Sequence, residues 1–213
     1  MAAVEAGKCG VFITLEGGEG VGKSTQLALL ATMARARGHD VVETREPGGS
    51  VGAEAIRGLL LHDGIHWNAR AEALLFAAAR ADHVATVIQP ALARGAWVIC
   101  DRFIDSTRAY QGGDDGLPDA DIMTLHGISC GGLLPDRTLL LRLDATEAAR
   151  RRASRVLARA DRIESRDAAY HDRVVTAFDT LAAAEPERFR VIDAAGPTTD
   201  VAARLWAQLD FAP

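Results

Sequence analysis

Apolar residues recur along the chain in two rhythms. Five short runs have strand length: Val11-Phe12-Ile13-Thr14-Leu15, the stretch 40–44 around Val41-Val42, Ala96-Trp97-Val98-Ile99-Cys100, 138–143 and 189–192. A run as continuous as 96–100 predicts a central parallel strand covered on both faces. Between these runs the apolar positions fall at helical spacing. Residues 23–37 carry Leu27, Leu30, Ala31 and Ala34, with Gly38 as a stop, and 51–61 resumes a helical pattern that ends near Gly64. Residues 68–93 form a long alanine-rich helical region in which Pro90 is expected to kink or divide the helix. Short helices are expected over 106–111 and 118–129, with a loop at 114–118. Residues 168–184 and 199–209 close the set, and Thr146 is the expected N-cap of the helix that follows the fourth strand.

Strand-like runs that alternate with helices predict an α/β class with a parallel sheet and right-handed crossovers. At 213 residues the chain is read as one domain, 1–213. In such a sheet, ligands bind outside the carboxyl ends of the strands, so Arg45 and Glu46, at the end of the second run, are expected on the binding rim. One segment breaks the pattern. Residues 150–166 carry Arg150, Arg151, Arg152, Arg155, Arg159, Arg162 and Arg166, with little apolar content to bury.

Composition narrows the chemistry. Hydrophobic residues at 48% and charged residues at 25% are ordinary globular values. A net charge of −5 argues against a general nucleic-acid or anionic-membrane binder, so any anion site must be local. Cys9, Cys100 and Cys130 are far apart with no C-x-x-C pair, which suggests reduced thiols inside a cell. No apolar run approaches the roughly 18 residues of a membrane span, and the start lacks a signal-peptide pattern, so a cytoplasmic protein is expected. His62 and His66 are four apart, but Gly64 between them weakens any helix that would pair them on a metal.

The most informative stretch is Gly17-Gly18-Glu19-Gly20-Val21-Gly22-Lys23-Ser24-Thr25. It matches the phosphate-loop pattern of a glycine, four free positions and Gly-Lys-Ser/Thr, and it lies between a strand-like run and a helix-like run as that motif requires. Glycines let successive N–H groups turn inward, and the helix N-terminus adds a field that favours polyphosphate. Lys23 would reach the β- and γ-phosphates and the Ser24 hydroxyl would ligate Mg²⁺. Of the 24 basic residues only Lys8 and Lys23 are lysines, the other 22 being arginines. A chain that writes its positive charge as arginine has lysine at the one position where the motif needs it. Regulatory GTPases read guanine with Asn-Lys-x-Asp, yet the single asparagine is Asn68, followed by Ala69. Small phosphoryl-transfer enzymes are the class that remains.

Several spaced motifs then occur in order: 15–25, Thr44-Arg45-Glu46-Pro47-Gly48-Gly49, Leu74-Leu75-Phe76-Ala77-Ala78-Ala79-Arg80, Asp101-Arg102-Phe103, Ser106-Thr107-Arg108-Ala109-Tyr110-Gln111-Gly112 and Asp161-Arg162-Ile163-Glu164. With these motifs the chain resembles the bacterial thymidylate kinases from about Gly10 to its C-terminus. The resemblance implies a P-loop NTPase fold with a five-stranded parallel sheet flanked by helices and an arginine-rich lid at about 150–166. It implies transfer of the ATP γ-phosphate to dTMP with Mg²⁺, and a homodimer formed through the long helices.

Residue roles follow from the resemblance, each beside a plainer reading. Glu19 would hold the deoxyribose 3′-hydroxyl, or be a solvated loop residue. Arg45 would pair the dTMP phosphate, or cap a strand end. Phe76 would stack on thymine and Arg80 would bond the base edge, the i, i+4 spacing placing both on one face; a lone aromatic in such a helix is otherwise core, and the arginine otherwise a surface charge. Asp101 ends a buried strand, where a carboxylate needs a cation or donor, and Mg²⁺ is the expected partner. Arg102 would meet the acceptor phosphate, with a structural Asp–Arg pair as the alternative. Ser106, Thr107, Tyr110 and Gln111 would line the nucleoside pocket, Tyr110 disfavouring a ribose 2′-hydroxyl unless it is only core packing.

Thymidylate kinases supply transition-state charge from an arginine in the phosphate loop or from the lid. Gly20 occupies the loop position, so Arg155, Arg159 and Arg162 become the lid candidates; otherwise the run is a solvated helix face. Two other functions stay open: a kinase for another nucleoside monophosphate, and an ATP-binding regulator without transfer activity.

Overall fold

The computed structural model of the chain describes residues 10–62, 64–113, 116–155 and 166–209, the side chains of 152–155 excepted. Five parallel strands form one sheet: β1 (Val11–Glu16), β2 (Val41–Arg45), β3 (Trp97–Asp101), β4 (Arg137–Arg142) and β5 (Phe189–Asp193), in the order β2-β3-β1-β4-β5. β1 is central and nearly sealed on both faces. Ile13 and Leu15 point into one core with Leu27, Leu30 and Ala31 of α1 (Lys23–Arg35), while Phe12 points into the other with Val98, Cys100 and Phe103.

The first core is closed by α9 (Thr198–Trp206) and the second by α3 (Ala69–His83), α4 (Gln89–Ala93) and α6 (Asp119–Cys130). A third cluster joins α5 (Ile104–Tyr110) and α8 (Ala168–Ala184) around Tyr110, Val174 and the fully buried Phe178. The remaining helices are α2 (Val51–Leu60) and α7 (Ala145–Arg155).

The expected break near Pro90 lies earlier, at a π-helical turn, Val84–Ile88, between α3 and α4. Pro90 cannot donate an amide and its ring crowds the carbonyl four residues back, so the wider turn before it accommodates both effects. The N-cap expected at Thr146 is instead Asp144, whose Oδ1 accepts from the amides of Thr146 at 2.9 Å and Glu147 at 3.3 Å. A carboxylate at the helix start is the stronger acceptor and suits the helix dipole. α5 begins at Ile104, two residues before the expected start, because the side chain of Glu16 draws in the amides of Phe103 and Ser106.

Register places the functional rim. Asp101 is level with Leu15 of β1 on one side and with Arg45 of β2 on the other. Thus the carboxyl ends of β1, β2 and β3 bring the phosphate loop, Arg45 and Asp101-Arg102 to one edge of the sheet.

Candidate active site

The loop after β1 turns sharply. Gly17 has φ 131° and a Cβ there would stand 2.5 Å from the Leu141 carbonyl oxygen; Gly20 has φ 82°. An arginine at position 20 would adopt a left-handed backbone at a cost of about 1–2 kcal/mol, a physical reason for glycine in this loop shape. Lys23, in the first turn of α1, curls back so that Nζ donates to the carbonyls of Gly17 at 3.0 Å and Gly18 at 2.9 Å. Burial and the neighbouring Arg102 pull its ammonium below the ordinary value, partly offset by Glu19, Asp101 and Glu16.

Ser24 and Asp101 meet: Ser24 Oγ donates to Asp101 Oδ2 at 2.7 Å. The other carboxylate oxygen, Oδ1, is buried and has no hydrogen-bond partner among the described residues. A buried, unpartnered carboxylate oxygen beside a hydroxyl suits a hard divalent cation such as Mg²⁺, which takes one or two protein oxygens and completes its shell with phosphate and water.

Arg102 is the one non-glycine residue with positive φ among the described residues, at 71°. Its backbone is held by its own amide, which donates a hydrogen bond to Leu15 O at 3.0 Å, and by the Phe103 amide, which donates to Glu16 Oε1 at 2.8 Å. The guanidinium is thereby aimed at the loop, where it donates to Glu19 Oε1 at 2.5 Å, to Ser106 Oγ at 3.0 Å and to Gly17 O at 3.3 Å. Burial alone would lift the Glu19 carboxyl, but Arg102 and Lys23 outweigh it and hold the group down at about 2. Glu19 is therefore an anion, positioned by Arg102 and by the Tyr110 hydroxyl at 3.3 Å.

These groups line one cleft of about 200 Å³, together with Arg45, Phe76, Ser106, Tyr110 and Gln111. Arg45 is half exposed and bonds Glu54 Oε1 at 2.8 Å, a partner on α2. Phe76 presents its ring to the cleft although it is mostly buried, so the core and pocket readings are not exclusive. Arg80 and Thr107 stand behind the wall and do not line it. Arg80 is 2% exposed, with Nε on Glu46 Oε2 at 2.7 Å and Nη2 on Thr107 Oγ1 at 2.8 Å. The surface-charge reading of Arg80 is thereby corrected: its charge is buried against Glu46, and a buried charge without such a partner would be costly. Arg155 is the last residue of α7. Its side chain, and all of Arg159, Arg162 and the motif 161–164, lie outside the described residues.

Glu46, expected on the rim, lines the cleft as well, and the further lining residues that the sequence gave no place there are Pro47, Arg57 and Leu61. Arg57 is the notable addition: its Nη1 donates to Pro47 O at 2.7 Å, placing a second cation beside Arg45. Its only sequence signal was a position facing the break at 45–49 from the middle of an amphipathic helix. Glu16 was also given no role, since the strand-like run was read as ending at Leu15 and Glu16 stood only within the motif 15–25. It is fully buried and anchors Phe103 and Ser106.

A phosphate loop, a hydroxyl–carboxylate pair fit for Mg²⁺ and four cations, Lys23, Arg45, Arg57 and Arg102, facing an aromatic wall in one cleft define a P-loop phosphotransferase acting on a small nucleotide. Comparison with known proteins agrees. A family model described as thymidylate kinase matches residues 15–205. A thymidylate kinase of Rhizorhabdus wittichii is 64% identical over 197 residues, covering 92% of this chain and 95% of the relative, and one of Clavibacter sepedonicus is 54% identical over 93% and 94%. The crystal structure of thymidylate kinase from Ehrlichia chaffeensis superposes with a TM-score of 0.74 at 34% identity, covering 94% of this chain and 98% of that one. The chain belongs to the thymidylate kinase family.

Proposed function

We propose that the protein phosphorylates dTMP to dTDP with ATP as donor, on the route to dTTP, within a single domain whose residues 150–166 act as a lid. The observation that supports this best is that one cleft is lined both by the phosphate loop and by Phe76, Tyr110 and Gln111. Donor and acceptor can therefore lie end to end. The loop amides and Lys23 hold the donor phosphates. Arg45, Arg57 and Arg102 offset the charge of the acceptor phosphate as it approaches, where planar guanidinium groups can pair two oxygens each. Phe76 stacks on the base, and Arg80 stays paired with Glu46 and Thr107 behind the wall. Tyr110, pinned to Glu19, crowds the position of a 2′-hydroxyl while Glu19 accepts from the 3′-hydroxyl.

Mg²⁺ on Ser24 and Asp101 would supply charge neutralisation at the β- and γ-phosphates. The acceptor phosphate is already an anion, so no general base is required, and catalysis is positioning and electrostatics. Because position 20 is glycine, the transition-state arginine is assigned to the lid, from Arg155, Arg159 and Arg162. A lid also keeps water from the donor phosphate.

We read the protein as a cytoplasmic homodimer. No helix among the described residues is long and apolar enough to cross a membrane. Leu59, Leu74 and Ile128 are exposed on α2, α3 and α6, apolar positions that a pairing of two copies would cover.

The test is an ADP-release assay over dTMP, dUMP, UMP, CMP, AMP and GMP, with dTDP followed directly as product. The expected result is a strong preference for dTMP. A purine preference, or ATP binding with no dTDP at saturating dTMP, would overturn the assignment in favour of another monophosphate kinase or a regulator.

A further inference from the structure

Glu72 lies one helical turn before Phe76 on α3 and is 3% exposed, yet it does not itself line the cleft. Its Oε1 accepts from Gln111 Nε2 at 2.9 Å, and its two oxygens take Arg166 Nη2 at 3.2 and 3.3 Å. Arg166 is itself fixed over the Tyr170 ring, 4.4 Å from the centroid, and the Tyr170 hydroxyl donates to the Tyr110 carbonyl at 3.0 Å.

A carboxylate beside an arginine offers only lone pairs, so the Gln111 amide has to turn its NH₂ end towards α3. The opposite end, Oε1, accepts no hydrogen bond among the described residues and is not a fully buried orphan. Gln111 lines the cleft with Phe76 and Tyr110, so the end left for a ligand is the carbonyl oxygen, an acceptor. Were the amide reversed, the cleft would meet a donor instead. The carboxylate that decides between them lies on the same helix as the ring on which the base would stack.

We propose that Glu72, backed by Arg166, is a positioning residue for base selection: it fixes the Gln111 amide so that the cleft offers an acceptor to the base edge. Thymine and uracil carry an N–H at N3 and satisfy that acceptor. Cytosine has a lone pair at N3 and opposes it with another. The inference rests on the acceptor-site reading above and adds the means by which one pyrimidine is chosen over another.

Steady-state kinetics with dTMP and dCMP test it on the wild type, Glu72→Gln and Arg166→Met. Glutamine at 72 offers a donor as well as an acceptor and lets the Gln111 amide turn over. The ratio of kcat/KM for dTMP to that for dCMP should fall about tenfold or more, mainly through a higher KM for dTMP and a lower one for dCMP. Arg166→Met leaves the carboxylate but loosens it, and the ratio should fall about threefold. Arg166 is partly exposed, so this variant keeps the test usable if the buried substitution impairs folding. A merely structural role would lower both substrates together. An unchanged ratio in either folded variant overturns the proposal. A wild type that makes no dTDP overturns the acceptor-site reading instead, and the two failures are distinguishable.

Discussion

Glu16 is the place where burial and function are most directly linked, and Glu16→Gln measures that link. The carboxyl is fully buried at the end of β1, with Oε1 accepting from the Phe103 amide at 2.8 Å and the Ser106 amide at 3.3 Å, and Oε2 from the Ser106 hydroxyl at 2.6 Å. Burial, then repulsion from Asp105, raises it from an ordinary 4.5 to about 7, against the opposing pull of Ser106, Arg102 and the Phe103 amide. Asp105 is itself ion-paired with Arg188 at 2.6 Å.

A folded-state value above the unfolded one means that the native protein holds a proton the unfolded chain releases. That contribution to stability is complete below about 4.5 and is lost as the pH rises through about 7. The interval corresponds to roughly 3 kcal/mol at 1.36 kcal/mol per unit of pH. Glutamine has the shape of the protonated acid, keeps an acceptor for both amides and does not titrate. Urea unfolding followed by tryptophan fluorescence should therefore show variant and wild type within about 1 kcal/mol at pH 5. At pH 8 the variant should be more stable by roughly 2–3 kcal/mol. A difference that is the same at both pH values, or a variant that is less stable at pH 8, would refute the reasoning, because the carboxyl would then not carry a raised value in the fold.

Two further outcomes concern the phosphate end of the cleft. Lys23→Ala removes the ammonium that bonds Gly17 and Gly18 and should lower kcat at least about 100-fold with the circular dichroism spectrum retained; more than about a tenth of wild-type activity would contradict a phosphate role. Asp101→Asn keeps an oxygen for Ser24 but removes the charge on the buried Oδ1. The Mg²⁺ concentration for half-maximal rate should rise about tenfold or more, and an unchanged Mg²⁺ dependence would remove Asp101 from the metal site.

The class of fold was legible because its signals are local. Apolar runs of strand length, helical periodicity and a glycine-rich loop between them depend on near neighbours, and all five strands lie where the pattern predicts them. The loop residues and Asp101 were legible for a related reason: a phosphate motif and a strand-ending carboxylate each state their chemistry in a few adjacent residues. Boundaries were less so. Asp144 displaced Thr146 as a cap, and α5 started early because Glu16, some 90 positions away, draws in its first amides.

By itself, the sequence determined the α/β class, the polyphosphate loop and, through its spaced motifs, the family. What only the tertiary structure decided is which side chains share the cleft and in what state. Arg57 joined Arg45 because α2 folds back over the rim, and Arg80 and Thr107 withdrew behind the wall because Glu46 holds the guanidinium there. Glu19 became an anion near pH 2 only once Arg102 was laid across it, and Glu16 kept its proton to about 7 only once it was sealed beside Asp105. Periodicity along a chain reports the burial of faces. Charge, orientation and hydrogen-bond partners are set by residues distant in sequence that the parallel register of the sheet brings level.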